Sequence, residues 1–180
     1  MNIFYLDHDT KVCASQHNDK HVVKMILEYA QLLSTAHHII DDSLKHVEDK
    51  RGLKFYLDRF DAIYKPTHIN HPSAVWVRAN VENYFWLYEL WLDLLDEYTH
   101  RYGKVHASAR LRKWLSVSPF HIPDGKFYEP TQAMPDEFKS ESSIDAYRRY
   151  YVTAKQHLAK WTKRNMPAWY FALSYKLGVE

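Results

Sequence analysis

The stretch Asn18-Asp19-Lys20-His21-Val22-Val23-Lys24-Met25-Ile26-Leu27-Glu28 opens a long helical pattern. Asn18 or Asp19 suits the N-cap, where a short side-chain oxygen satisfies a free backbone N–H. Val22, Met25, Ile26, Tyr29, Leu32, Leu33 and Ala36 then recur at helical spacing, which predicts a helix from about Asn18 to Ile40. His21, Lys24 and Glu28 follow one another by three and four residues and so share a face of that helix. An imidazole, an ammonium and a carboxylate on a face that should otherwise be apolar make a poor core and a good site. The plainer alternative is an Asp19 helix-start cap with a Lys24–Glu28 surface pair.

Outward from this helix the pattern stays helical. Ile3-Phe4-Tyr5-Leu6 reads as a short strand or a buried extended tail, and residues 42–51 are polar. A second helix is expected over about 51–63, and a third over about 73–101, where Trp76, Tyr84, Phe85, Trp86, Tyr88 and Trp91 concentrate and Gly103 ends the run. A short helix near 107–115 precedes an irregular stretch from Ser116 to Ser140 holding Pro119, Pro123, Pro130 and Pro135. Helices from about 143 to 164 and from Ala168 to Leu177 complete the chain. The expectation is one all-α domain over 1–180, with a short extended N-terminal segment and a long proline-containing loop.

Composition narrows the classes. A chain of 180 residues is long enough for a core without staples. Only 4 glycines, with neither GxGxxG nor GxxxxGK[ST], give nucleotide-loop mechanisms no support. The single Cys13 cannot form an internal disulfide and fits a reducing cytoplasm. No apolar run approaches the roughly 20 residues of a membrane span, and the acidic Met1–Thr10 segment does not read as a signal peptide. Residues 1–99 carry 10 Lys/Arg against 15 Asp/Glu, whereas residues 100–180 carry 14 against 7, so the basic half suits a polyanion. That half could equally be an ordinary solvated surface.

Several groups could contact nucleic acid. The loop Thr67-His68-Ile69-Asn70-His71-Pro72 leads into a Ser73-capped helix with Arg78 one turn on, a potential anion site. Arg101, Lys104 and His106 cluster at a helix C-terminus, where they also complement the helix dipole. Lys160, Lys163, Arg164, Trp169 and Tyr170 combine cations with aromatic rings, as phosphate neutralisation and base stacking require, or form a basic amphipathic helix with its rings in the core. Gln132 and Asp136 sit on a proline-rigidified loop that could read a ligand edge or simply pack. His17 and His21 have metal spacing, but without HExxH or a cysteine pair neither a metal nor another cofactor is expected.

With these residues in view, Asp19-Lys20-His21 followed by Glu28 resembles the first-helix signature of the phage endonuclease V (pyrimidine-dimer DNA glycosylase) family. Pro167-Ala168-Trp169-Tyr170 is similar to that family's Pro-x-Trp-Tyr, and Asn70-His71-Pro72 and Arg101-Tyr102-Gly103-Lys104 are similar to patches in its broader relatives. The resemblance implies an all-α fold whose N-terminal segment threads to the active site. It also implies attack of an amine on C1′ of a damaged nucleotide, formation of a Schiff base, and β-elimination assisted by Glu28. An α-amine ordinarily titrates at about 7.7–8, so much of it is nucleophilic at cellular pH.

The match spans short motifs. Asn2 stands where the family has a small residue, and Leu27 and Tyr29 rather than arginines flank Glu28. The nucleophile is therefore left open among the Met1 amine (retained before Asn2), Lys20 and Lys24, or none. The expected site comprises Glu28, His21, Lys24, Met1 and Asn2, with His68, His71, Arg78, Arg101, Lys104, His106, Lys160, Lys163, Arg164, Trp169 and Tyr170 on nucleic acid, DNA before RNA. The chain also resembles a group of phage-encoded proteins, which implies the cytoplasm of an infected bacterium. The alternatives are a non-catalytic nucleic-acid-binding or host-inhibiting phage protein, and a nucleotide- or RNA-acting enzyme with a His-rich pocket.

Overall fold

Asn18 caps the central helix through its side-chain oxygen, which accepts the His21 N–H at 2.9 Å. The computed structural model describes residues 1–179. Among them are eight α-helices and no strand. In order they are α1 (Thr10–Gln16), α2 (Asp19–Ile40), α3 (Lys54–Ala62), α4 (Pro72–Val77), α5 (Val81–Tyr102), α6 (Arg112–Leu115), α7 (Ser143–Val152) and α8 (Ala168–Leu177). Four 3-10 turns, Asp42–His46, Ala107–Leu111, Asp136–Phe138 and Gln156–Leu158, join them. Among the described residues no helix is long and apolar enough to cross a membrane.

The core is centred on α2 and α5, the most extensive helix pair, with α1 packed on α5. Val22, Met25, Ile26, Tyr29 and Leu33 of α2 and Leu87, Leu90, Trp91 and Leu94 of α5 are buried, each worth roughly 1.5–3 kcal/mol of transfer free energy. The Trp91 indole N–H donates to the Ile26 carbonyl at 3.0 Å and fixes the two helices in register.

Ile3-Phe4-Tyr5-Leu6 is the buried extended tail, not a strand. Buried backbone must find partners, and without a sheet they are side chains. The Phe4 N–H donates to the Tyr29 hydroxyl (3.0 Å), the Leu6 N–H to Cys13 Sγ (3.4 Å), the Cys13 thiol to the Phe4 carbonyl (3.3 Å), and Arg148 Nε to the Leu6 carbonyl (2.9 Å). Burial pushes the Cys13 thiol up to about 12, so this cysteine is an inert packing group.

Three expectations about helices are corrected. The long aromatic helix is two, because Asn80 takes extended backbone and caps α5 by accepting the Asn83 N–H at 2.9 Å. Asn83 Nδ2 then donates back to the Trp76 carbonyl at 3.0 Å and ties the break together. α7 stops at Val152 rather than near 164 because the following segment is drawn onto the start of α2. Asp19 there accepts the Thr162 N–H (2.9 Å) and hydroxyl (2.7 Å), and the Trp161 indole N–H donates to the Gln16 carbonyl (2.8 Å). Helix α1 has no counterpart in the expected pattern. Its cap is Asp9, which accepts the Val12 N–H at 2.9 Å.

The long loop is strapped down along its length. Asp41, fully buried, accepts the Phe120 and His121 N–H groups (2.8 and 3.0 Å) and Arg59 Nη2 (3.3 Å), and Arg59 Nη1 donates to the Val117 carbonyl (2.9 Å). Further along, Glu82 accepts the Phe127 N–H at 2.6 Å, Trp76 Nε1 donates to the Tyr128 carbonyl at 3.0 Å and the Tyr147 hydroxyl donates to the Thr131 carbonyl at 2.8 Å. Gln132 is consumed inside the loop, bonded twice to Ser140. Asp136 is paired with Lys139 at 2.6 Å.

Candidate active site

Glu28 lies on the third turn of α2 with its side chain 14% exposed. Two amines flank it. Lys24 Nζ is 3.1 Å from Oε1 and projects into solvent, and the Met1 amine is 3.9 Å from Oε2 at the end of the buried tail. The Met1 side chain is only 4% exposed, so the amine sits at a fixed place. Asn2 is half-buried behind it.

The tail is held there by aromatic packing. The Phe4 ring stacks on His21 with centroids 4.1 Å apart and 21° between planes, and meets Tyr147 and Tyr151 edge-on. His21 Nδ1 is 2.5 Å from the Tyr151 hydroxyl. Burial, followed by the nearby His17, Lys155, Lys24 and His157, lowers the His21 pKa to about 2. His21 is therefore a neutral, buried support of the tail rather than a base open to solvent. Tyr29 links the tail to His17, whose Nδ1 donates to the Cys13 carbonyl at 2.8 Å. Burial lowers His17 to about 4. The His17 and His21 rings are thus committed to separate partners. Among the described residues no group of three or more His, Cys, Asp or Glu is arranged to hold a metal ion.

The second edge of the site is the 67–71 loop, which runs beside α2. Thr67 exchanges two hydrogen bonds with Thr35 of α2, and Arg78 Nη1 braces the loop by donating to the Ile69 carbonyl at 2.6 Å. His71 caps the short helix α4 with its own ring, Nδ1 accepting the Ser73 N–H at 3.1 Å. Burial, then the Met1 amine and His68, lower the His71 pKa, against a smaller upward pull from Glu28. His71, Met1 and Glu28 therefore share one electrostatic neighbourhood. The expected Ser73 cap is corrected, since Ser73 donates its N–H to the His71 ring and α4 has six residues.

Other expected site residues have structural employment. Arg101 is buried and joins Glu97 (2.6 Å), Asp19 (3.0 Å) and the Ser15 carbonyl (2.9 Å), so it ties α5 to α1 and α2 rather than facing a ligand. Arg164 is bidentate to the same Glu97. Burial raises the Glu97 carboxyl, but Arg164 and Arg101 pull it below its ordinary value. His106 caps the 107–111 turn by accepting the Ser108 N–H at 3.1 Å, repeating the His71 arrangement. Trp169 donates to Gln16 Oε1 at 2.8 Å and lies under the Arg148 guanidinium at 5.1 Å. Tyr170 is buried, and its hydroxyl has no hydrogen-bond partner among the described residues.

Lys104 is exposed beyond Gly103, and Lys163, also exposed, donates to the His100 carbonyl at 3.1 Å. Lys160 is exposed and lines a cavity of about 560 Å³ with Lys20, Val23, Tyr102 and His157. Lys20 precedes Glu28 by two turns of α2, about 12 Å along the axis at ~1.5 Å per residue. The structure thus brings together Met1, Lys24 and Glu28 at the end of the tail, with Lys20 farther along α2 and Lys160, from the segment after the 156–158 turn, lining the same cavity as Lys20. Sequence reasoning missed Phe4, Tyr29 and Tyr151, the side chains that hold the tail. Phe4 carried a signal in the apolar run 3–6, whereas Tyr151 carried none.

Comparison with known proteins adds no neighbour: no family model, no curated protein and no solved structure matches the chain.

Proposed function

We propose that the chain is a nucleic-acid-processing enzyme of the DNA glycosylase/AP-lyase type, with the Met1 amine as nucleophile and Glu28 as the catalytic carboxylate. The observation that carries this reading is the Met1 amine held 3.9 Å from Glu28 at the end of a buried tail. A primary amine beside a carboxylate is what imine chemistry at a sugar C1′ needs: the amine attacks, and the carboxylate accepts and returns protons. Lys24 Nζ, 3.1 Å from the same carboxylate, supplies a cation at the rim and is the competing nucleophile. The exposed Lys20 and Lys24 of α2, with the exposed Lys160 lining the same cavity as Lys20, support a polyanionic substrate.

The i,i+4 geometry of Lys24 and Glu28 also suits a surface pair, which favours a second reading as a non-catalytic nucleic-acid-binding protein. Glu28→Gln separates the two. On duplexes carrying an abasic site, the catalytic reading expects strand scission to fall by about 10²–10⁴-fold while duplex affinity stays within a few-fold. Scission by Glu28→Gln at the native rate would sink the assignment, and binding without any scission by the native chain would favour the second reading.

A further inference from the structure

The segment after α7 walls two cavities at once. Gln156 and Ala159 line a cavity of about 460 Å³ with Met166 and, from α8, Tyr170, Phe171 and Tyr175. His157, Ala159 and Lys160 line the cavity of about 560 Å³ that also holds Lys20 and Tyr102. The Gln156–Leu158 turn is therefore a ridge, and the two cavities adjoin at Ala159. Both volumes fall within the roughly 300–1,000 Å³ of ligand sites. The ridge is held in place. The Ala159 N–H donates to the Gln156 carbonyl at 2.9 Å, and the Lys160 carbonyl accepts the Asp19 N–H at 2.8 Å.

The two cavities differ in chemistry. The first is aromatic. Phe171 and Tyr175 lie four residues apart on one face of α8, and at 71% and 86% exposure they are the most exposed aromatic residues among those described. Aromatic faces left in water are stacking platforms for a planar ring. Beside them Tyr170 is buried, its ring against Trp161 and Trp169 at 5.0 and 5.8 Å, while its hydroxyl has no hydrogen-bond partner among the described residues. A buried polar group in that state calls for a partner. The second cavity is basic. Lys20 and Lys160 are exposed, and neither is paired with a carboxylate among the described residues. Asp19 lines this cavity too, but its charge is met by Arg101 at 3.0 Å and by two hydrogen bonds from Thr162.

We propose that the paired cavities bind a nucleotide. Its base stacks on Phe171 and Tyr175 with an edge at the Tyr170 hydroxyl, and its phosphate lies on Lys20 and Lys160. An aromatic cavity joined to a basic one across a single residue matches a planar ring joined to an anion. The assignment stands whether or not the amine–carboxylate pair at Glu28 is catalytic. The recognised unit is a base with its own phosphate, free or at the end of a strand, and the test separates the two sources.

The test is calorimetric titration of the full chain with AMP, adenosine, inorganic phosphate and a short single-stranded oligonucleotide. AMP is expected to bind tighter than adenosine and tighter than phosphate. Phe171→Ala, at an exposed position, should weaken AMP and adenosine alike, by about five- to a hundredfold, the range for a lost stacking platform, and leave phosphate unchanged. Lys20→Ala combined with Lys160→Ala should bring AMP down to the affinity of adenosine. Tyr170→Phe keeps the packed ring and should weaken adenosine by about two- to tenfold, as for one neutral hydrogen bond. This pattern with AMP makes a free nucleotide the ligand. The same pattern with the oligonucleotide in place of AMP keeps the site and makes a strand end the source. Native affinity for AMP no greater than for phosphate overturns the assignment. So does the absence of binding to both AMP and the oligonucleotide, or binding that Phe171→Ala and the double lysine variant both leave unchanged.

Discussion

Three buried histidines, His17, His21 and His37, are held neutral by the interior. Burial is the main cause for each and lowers them to about 4, 2 and 4 respectively, with Asp41 partly opposing the effect at His37. His37 also bonds the Tyr84 hydroxyl through Nε2 at 2.7 Å. The folded-state values lie below the ordinary ~6.5, so unfolding takes up protons. The stability these residues lend is complete above about pH 6.5 and is lost as pH falls toward 4, at up to ~1.4 kcal/mol per pH unit for each ring. Asp19, Asp41 and Glu97, held below ordinary carboxylate values, add their own loss only in more acid solution. Urea midpoints measured at pH 7, 5.5 and 4.5 should fall steadily, and a flat profile over that window would contradict the neutral-histidine account.

At the scale of elements, the Asp41–Arg59 pair joins the end of α2 to α3 and to the long loop, with both side chains fully buried. Burial raises the Asp41 carboxyl, but His37 and the Phe120 and His121 N–H groups pull it down further. Arg59→Leu leaves that carboxylate without its guanidinium. A loss of about 3–5 kcal/mol is expected in denaturant unfolding, as for breaking a buried pair from one side. A loss under 1 kcal/mol would mean that the backbone donors alone satisfy Asp41.

Local rules made some elements legible and long-range bonding hid others. The Asn18 cap, the reach of α2 and the limits of α8 follow from 3.6-residue periodicity and end signals. The break at Asn80 lies inside an unbroken apolar pattern. The early end of α7 depends on Asp19 bonding Thr162, and Arg59 meets Asp41 from 18 residues away. No local rule carries those pairings. In the candidate site, Lys24 and Glu28 were legible from helix spacing, whereas the arrival of Met1 beside them depends on Phe4 stacking on His21 and His21 bonding Tyr151 from 130 residues away. The ring caps of His71 and His106 share a His-x-Ser pattern that reads as a turn signal only after the bond to the serine N–H is seen.

At the scale of the whole molecule, an all-α scaffold is wrapped around its own N-terminal segment. Tyr29, Cys13, Arg148 and Trp86 all bond main-chain atoms of residues 4–8, so the first residues are a structural part of the core. The result places two amines, of Met1 and of Lys24, beside a helix-borne carboxylate, with the exposed Lys20 two turns before it on the same helix. The most direct test is borohydride trapping of the native chain on a duplex carrying an abasic site, followed by peptide mapping of the adduct and intact-mass analysis of the N-terminus. The account predicts a covalent adduct on the amine of Met1. An adduct on Lys24 would transfer the nucleophile to the neighbouring amine. The absence of any adduct on abasic, uracil and thymine-dimer duplexes would contradict the amine–carboxylate chemistry itself.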